Sequence, residues 1–280
     1  MDDIRPSPIA GKWYSGDPVQ LAKEVDEYIN SADPITIDGE IVAVVAPHAG
    51  YIYSGKTAGY AFRALKGMQV ETAVVISPLH SYFSAPLVSS RHSAYATPFG
   101  KIDIDRELLT NLDTYLQKNY SLRLEYAARD PEHSLEIELP FLQKSLAGLF
   151  QLLPVMIRDQ DLKTTQALGN SLAVVLSGKK QVMVASTDLS HFYPQPVAKK
   201  LDQEMLHQIE SFSPEGVLRA QNSGSGQACG AGAVSAVLFA AQKLGADSVR
   251  ILHSSTSGDI TGDFSSVVGY GAAVIYRKKA

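Results

Sequence analysis

The chain has 280 residues, 45% of them hydrophobic and 19% charged, with a formal net charge of −4. This is an ordinary globular composition with enough length for a large core, which argues against a disordered chain. The 25 Lys and Arg and 29 Asp and Glu are mixed in sign with no basic block, so no nucleic-acid footprint is expected, and the single cysteine, Cys229, leaves no internal disulfide.

Residues 1–20 hold Pro6, Pro8, Gly11, Gly16 and Pro18 around Trp13 and Tyr14, the pattern of an extended arm laid on the body. Met1 to Pro6 lacks a basic segment followed by an apolar one, and no apolar run approaches the ~20 residues of a spanning helix, so a soluble, cytoplasmic protein that avoids membranes is expected. Leu21, Val25 and Ile29 lie four apart and predict a helix over 18–29. Strands are predicted at 41–46 and 72–77, with a helix between them that Ser54 caps. Residues 86–104 suggest a strand pair, and Asp105 caps a helix to about Lys118. A helix over 135–142 contains Pro140, near a first turn or at a kink. Strands at 150–157 and 182–186 bracket a helix over 161–176. Helices follow at 197–212, 214–221 and 231–244, the last rich in alanine and suited to close packing; strands at 248–254 and 267–276 end the chain. No repeat or linker divides it, so residues 1–280 are expected to form a single α/β domain, with a central mixed, largely parallel sheet flanked by helices on both faces.

Three of the predicted strands lead into histidine: Pro47-His48, Pro78-Leu79-His80, and Asp188-Leu189-Ser190-His191. Ligands of open α/β sheets bind beyond the strand carboxyl ends, so this repetition points to a polar site there. Any one of these histidines alone also suits a loop that bonds to backbone. Asp188 stands three residues before His191, where it either orients the imidazole or caps the next turn. Cys229 precedes a helix; it is either a small buried hydrophobe or a thiolate favoured by the helix N-terminus, able to ligate a metal or act as a nucleophile. Glu132, His133 and Glu136 enter an otherwise apolar helix, either as residues that line a site or as a solvated helix start. Tyr51, Tyr53 and Tyr193 suit an aromatic rim or plain packing, His92 and His207 read as surface residues, and His253 has no assignment. There is no His-x-Glu-x-x-His, Cys-x-x-Cys, phosphate loop or Gly-x-Ser-x-Gly.

Pro47-His48-Ala-Gly-Tyr51, Ser77-Pro-Leu-His80, Glu132-His133-Ser134, Ser186-Thr-Asp188-Leu-Ser-His191 and Cys229-Gly230 occur in an order that resembles the Memo-like family, also called AmmeMemoRadiSam system protein B. Arg5-Pro-Ser-Pro-Ile-Ala-Gly-Lys-Trp-Tyr14 resembles that family's start. The resemblance implies a fold like that of class III extradiol ring-cleavage dioxygenases. It also implies a metal pocket of His48, His80 and Cys229, with His191 as acid/base and Asp188 beside it. Non-haem iron or copper, with zinc as a further option, is the implied cofactor. Leu79 and Ser77 depart from the small polar residue and glycine usual around the second histidine.

The function expected is therefore that of a metal-binding redox protein or dioxygenase-like oxidoreductase. Its alternative is a non-catalytic module that binds a peptide or small ligand in the same cleft. A Cys229-nucleophile hydrolase is a third reading, and it would leave two strand-end histidines idle.

Overall fold

Short apolar, β-branched runs become strands, and the periodic segments between them become helices, in the computed structural model of the chain, which describes residues 3–279. Met1, Asp2 and Ala280, the ends of the domain expected over 1–280, lie outside the described residues. β1 (Ile4–Arg5) is followed by α1 (Pro18–Ser31), β2 (Gly39–Ala46), α2 (Tyr51–Ala64) and β3 (Thr72–Pro78). Then come β4 (Leu87–Ser90), β5 (Ala94–Thr97), β6 (Gly100–Asp103), α3 (Arg106–Tyr120) and β7 (Leu124–Ala127). A 3₁₀ turn (Glu136–Glu138) leads to α4 (Leu139–Ser145), β8 (Gln151–Ile157), α5 (Leu162–Leu176), β9 (Gln181–Ser186) and β10 (His191–Tyr193). The remaining elements are α6 (Gln195–Glu210), α7 (Pro214–Ser223), α8 (Ala231–Lys243), β11 (Ser248–Thr256), α9 (Gly258–Thr261) and β12 (Val267–Lys278).

The main sheet has the order β10-β12-β2-β9-β3-β8-β4-β7, with β11 also paired to β12. Its centre, β2-β9-β3-β8, is parallel; β12 and β4 join that centre antiparallel. Every residue of β3 is buried, as an unbroken apolar run in a doubly covered parallel sheet requires. α1, α2 and α4 pack together as one helical layer, and α3, α5, α7 and α8 pack together as another. The alanine-rich α8 lies hard against α5: a Cβ on Gly169 would come within 2.6 Å of the Ala236 carbonyl oxygen. No helix among the described residues is long and apolar enough to cross a membrane.

Most predicted elements are present, and the differences have local causes. Ser54 does not cap α2. The helix begins at Tyr51 behind Gly50, and the Ser54 hydroxyl donates to the Ala49 carbonyl from inside the first turns. Residues 86–104 hold three strands: β5 and β6 pair with each other in a small sheet with β1, while β4 joins the main sheet. The predicted 135–142 helix starts as the 3₁₀ turn, with Pro140 in the first turn of α4, where its missing N–H costs nothing. Asp105 caps α3 as expected, accepting from the Leu108 N–H.

The N-terminal arm is tied down by a buried cation. Arg5 is 2% exposed and pairs with Asp130 at 2.8 Å and with Glu136. It also donates to the Glu132 carbonyl at 2.7 Å and lies over the Tyr95 ring. Glu136 in turn accepts from the hydroxyls of Ser7 and Tyr14. Removing one partner of a buried ion pair leaves the other charge stranded. Arg5→Met is expected to lower the free energy of unfolding by about 3–5 kcal/mol, read by urea denaturation, and a loss under about 1 kcal/mol would show that the arm is not held this way.

Candidate metal centre

Strand order brings the site together. β2, β9 and β3 are parallel neighbours, so their carboxyl ends open on one edge, about 4.8 Å from strand to strand. Each places a polar residue two positions past its last residue: His48 after β2, Asp188 after β9 and His80 after β3. Cys229 arrives from the loop before α8. That loop sits so close to β9 that a Cβ on Gly230 would lie 2.4 Å from the Ser186 carbonyl oxygen. The Cys229 N–H donates to the Asp188 carbonyl, and the Gly230 N–H donates to the Thr187 hydroxyl. Gln160 clamps the same loop, donating to the Cys229 carbonyl and accepting from the Gly232 N–H.

His48 Nε2 lies 3.1 Å from Cys229 Sγ, and one donor atom each from His48, His80 and Cys229 fall within 4.8 Å of one another. A tetrahedral ion with bonds of about 2.0–2.3 Å separates its donors by about 3.5 Å, so the three residues fit a transition metal. His80 is fixed by Glu132: the ring Nδ1–H donates to Oε1 at 2.9 Å and the backbone N–H to Oε2 at 2.6 Å. This carboxylate contact raises the His80 pKa, and it leaves Nε2 free as the ligand atom. Burial alone would raise Glu132. Its bonds from His80 and from the Ser134 N–H instead hold it well below the usual carboxylate range. Burial pushes the Cys229 thiol up, helped by the charge of nearby Asp188; the Asp188 N–H, 3.3 Å from Sγ, is placed to support the thiolate that a metal would demand.

A cavity of about 650 Å³ opens beside this centre, lined by His48, His80, His133, Asp188 and His191 and walled by Trp13, Tyr53, Phe192 and Tyr270. His133 stacks on His80 and packs at a tilt against Trp13, and burial lowers its pKa to about 4, so it is neutral at pH 7. The expected Asp188–His191 contact is absent. His191 Nδ1–H donates to the Leu189 carbonyl at 2.8 Å, and Asp188 accepts the His48 N–H at 2.8 Å. The cause is the chain path: Asp188 ends against β2, whereas His191 already belongs to β10 beside β12. Burial lifts the Asp188 carboxyl to about 7, and burial also lowers the His191 pKa.

Tyr53 lines the cavity as expected, whereas Tyr51 is buried with its hydroxyl on the Ile137 carbonyl and Tyr193 lies outside the cavity lining. His92 bonds Asp3 and the Ala128 carbonyl, and His253 stacks on Tyr60; neither lines the cavity. Three residues that sequence reasoning passed over matter here. Trp13 was assigned only to the arm. Ser186 ends a predicted strand and opens the Ser186–His191 motif, with no role of its own assigned. Glu138, an acid inside an apolar segment, was the one readable signal, and it bonds Ser186 at 2.7 Å.

Comparison with known proteins agrees with this architecture. The chain is 35% identical over 274 residues to a MEMO1 family protein of Methanococcoides burtonii, covering 97% of this chain and all of that one. It is 31% identical over 280 residues to a MEMO1 family protein of Nitrosopumilus maritimus, covering 96% and 98%. Among solved structures, an uncharacterized protein, JW3007, from Escherichia coli K12 has the same fold. Its TM-score is 0.54 at 12% identity, over 84% of this chain and 99% of that one. The family model described as Memo-like protein matches residues 5–274, and with whole-length relatives above 30% identity the chain belongs to the Memo-like family.

Proposed function

We propose that the protein is a metal-dependent redox enzyme of the dioxygenase type, with His48, His80 and Cys229 as its metal ligands. The observation that carries this reading is the meeting of two imidazoles and one sulfur beside a 650 Å³ cavity. Iron or copper is the proposed ion, with zinc as the redox-inert option for the same donors. Such an ion would supply electron transfer and activation of dioxygen. The chain's own residues supply the rest. Glu132 keeps His80 turned toward the site. His191, its Nδ1–H held by Leu189, presents Nε2 to the cavity as a proton acceptor for a small-molecule or peptide ligand. Asp188, titrating near neutrality, is a second proton carrier on the same wall. A Cys229 nucleophile fits less well, because burial raises the thiol where a nucleophile needs it lowered.

Ligand removal gives the first test. After anaerobic loading with iron or copper, His48→Ala and Cys229→Ala are expected to bind metal at least about 100-fold more weakly than wild type, by elemental analysis and competition titration. Equal, negligible metal in wild type and variants would overturn the reading.

The second test separates enzyme from binding module. Ile52 and Phe192 are 68% and 73% exposed near the cavity mouth, an apolar rim that favours ligand capture with or without turnover. Catechols and related phenols are to be screened with the iron-loaded protein. Ring opening is expected, and His191→Gln should lower it by about 10²–10⁴-fold while metal content stays constant. Tight binding without turnover in the wild type would instead support the module.

A further inference from the structure

Ser186, the last residue of β9, is fully buried, and its hydroxyl oxygen has three polar neighbours. His48 Nδ1 lies at 2.9 Å, the Ser134 carbonyl at 2.6 Å and Glu138 Oε1 at 2.7 Å. A hydroxyl has one proton to give and two lone pairs with which to receive. The Ser134 carbonyl can only accept, so it takes the serine proton. His48 and Glu138 must then each bring a proton of their own.

The other arrangements are worse. Giving the serine proton to Glu138 leaves two oxygens 2.6 Å apart with nothing between them. It also leaves an anionic carboxylate whose Oε2 is buried without a partner. Giving it to His48 leaves the Ser134 carbonyl 2.6 Å from the serine oxygen, again with no proton between them. As a neutral acid, Glu138 loses far less by the same unpartnered Oε2, which is then a carbonyl oxygen. Burial also pushes the Glu138 carboxyl well above its usual range, in agreement with the proton count.

We propose that Ser186 is the positioning residue for His48: with its own proton committed to Ser134, it receives the Nδ1–H of His48 and the acid proton of Glu138, and so aims the His48 Nε2 lone pair at the metal. The purpose of this device rests on the metal reading above; the tautomer itself does not. Nε2 already faces Cys229 Sγ at 3.1 Å, and a ligating imidazole needs an acceptor for its second nitrogen. His80 uses the anionic Glu132 for that task, whereas His48 uses a neutral hydroxyl inside the fold.

The test is 15N NMR of the histidine rings in metal-free protein, with His48 assigned against His48→Gln. Wild type is expected to show a protonated Nδ1 and a bare Nε2. Ser186→Ala, with no acceptor left at Nδ1, is expected to shift His48 toward the Nε2–H form and to weaken zinc binding by about 10–100-fold. Infrared spectroscopy at neutral pH should show the carbonyl stretch of a neutral carboxylic acid that disappears in Glu138→Gln. The glutamine amide still donates to Ser186, so that variant should keep the wild-type tautomer and zinc affinity. A wild-type His48 with its proton on Nε2, an unchanged tautomer in folded Ser186→Ala, or no neutral-acid band that is lost in Glu138→Gln would each overturn the proposal. Should Ser186→Ala fail to fold, by circular dichroism, the wild-type NMR and the Glu138→Gln infrared spectrum still decide it. Absence of zinc binding in a wild type with the expected tautomer would overturn the metal reading and leave the hydrogen-bond assignment standing.

Discussion

Three parallel strands that are neighbours in space but not in sequence set the geometry of this protein. β2 and β3 are joined through α2, yet β9 lies between them in the sheet. Because all three run the same way, their carboxyl ends open on one edge, and the backbone spacing of the sheet sets the distance between His48, Asp188 and His80. Little adjustment is left to the loops. The fourth member, Cys229, depends on backbone contact rather than on a strand: glycine at position 230 lets its loop touch the Ser186 carbonyl, and Asp188, Thr187 and Gln160 hold it there.

Four buried acids surround this edge, and each meets a different set of donors. Glu132 meets the His80 ring and several backbone N–H groups, and stays ionised. Glu136 meets Arg5 and two hydroxyls. Asp188 meets backbone N–H groups but no cation that bonds it, and it titrates near neutrality. Glu138 meets a single serine hydroxyl, and burial pushes its carboxyl well above the usual range. The same side-chain chemistry therefore serves as an anchor, a histidine orienter, a group that titrates near neutrality and a hydrogen-bond donor, according to how many donors replace the lost water.

Much of the fold was legible because burial on both faces writes a simple pattern. Runs such as Thr72 to Ser77 and Val182 to Ser186 are short, apolar and β-branched, and they became β3 and β9 within a residue or two. The edge elements were less legible: β7 and β10 are short and half exposed, so they carry no unbroken apolar run. At the site, residue types at strand ends pointed to His48, His80 and His191, but side-chain partners could not be read. Glu132 bonds a histidine 52 positions away, and Asp188 bonds one 140 positions away rather than its neighbour His191. Such pairings depend on strand order, which local pattern does not encode.

The N-terminal arm gains a role from the same long-range logic. Arg5 holds the Glu132 carbonyl and the side chains of Asp130 and Glu136, so it grips both ends of the segment that carries Glu132. Glu132 orients His80, and Trp13, further along the arm, packs at a tilt against His133, which stacks on His80. The arm thus reaches one histidine by two independent contacts, one through a carboxylate and one through packed rings. A surface strap would need neither a fully buried cation nor a ring inside the cavity wall; an arm that completes the site needs both.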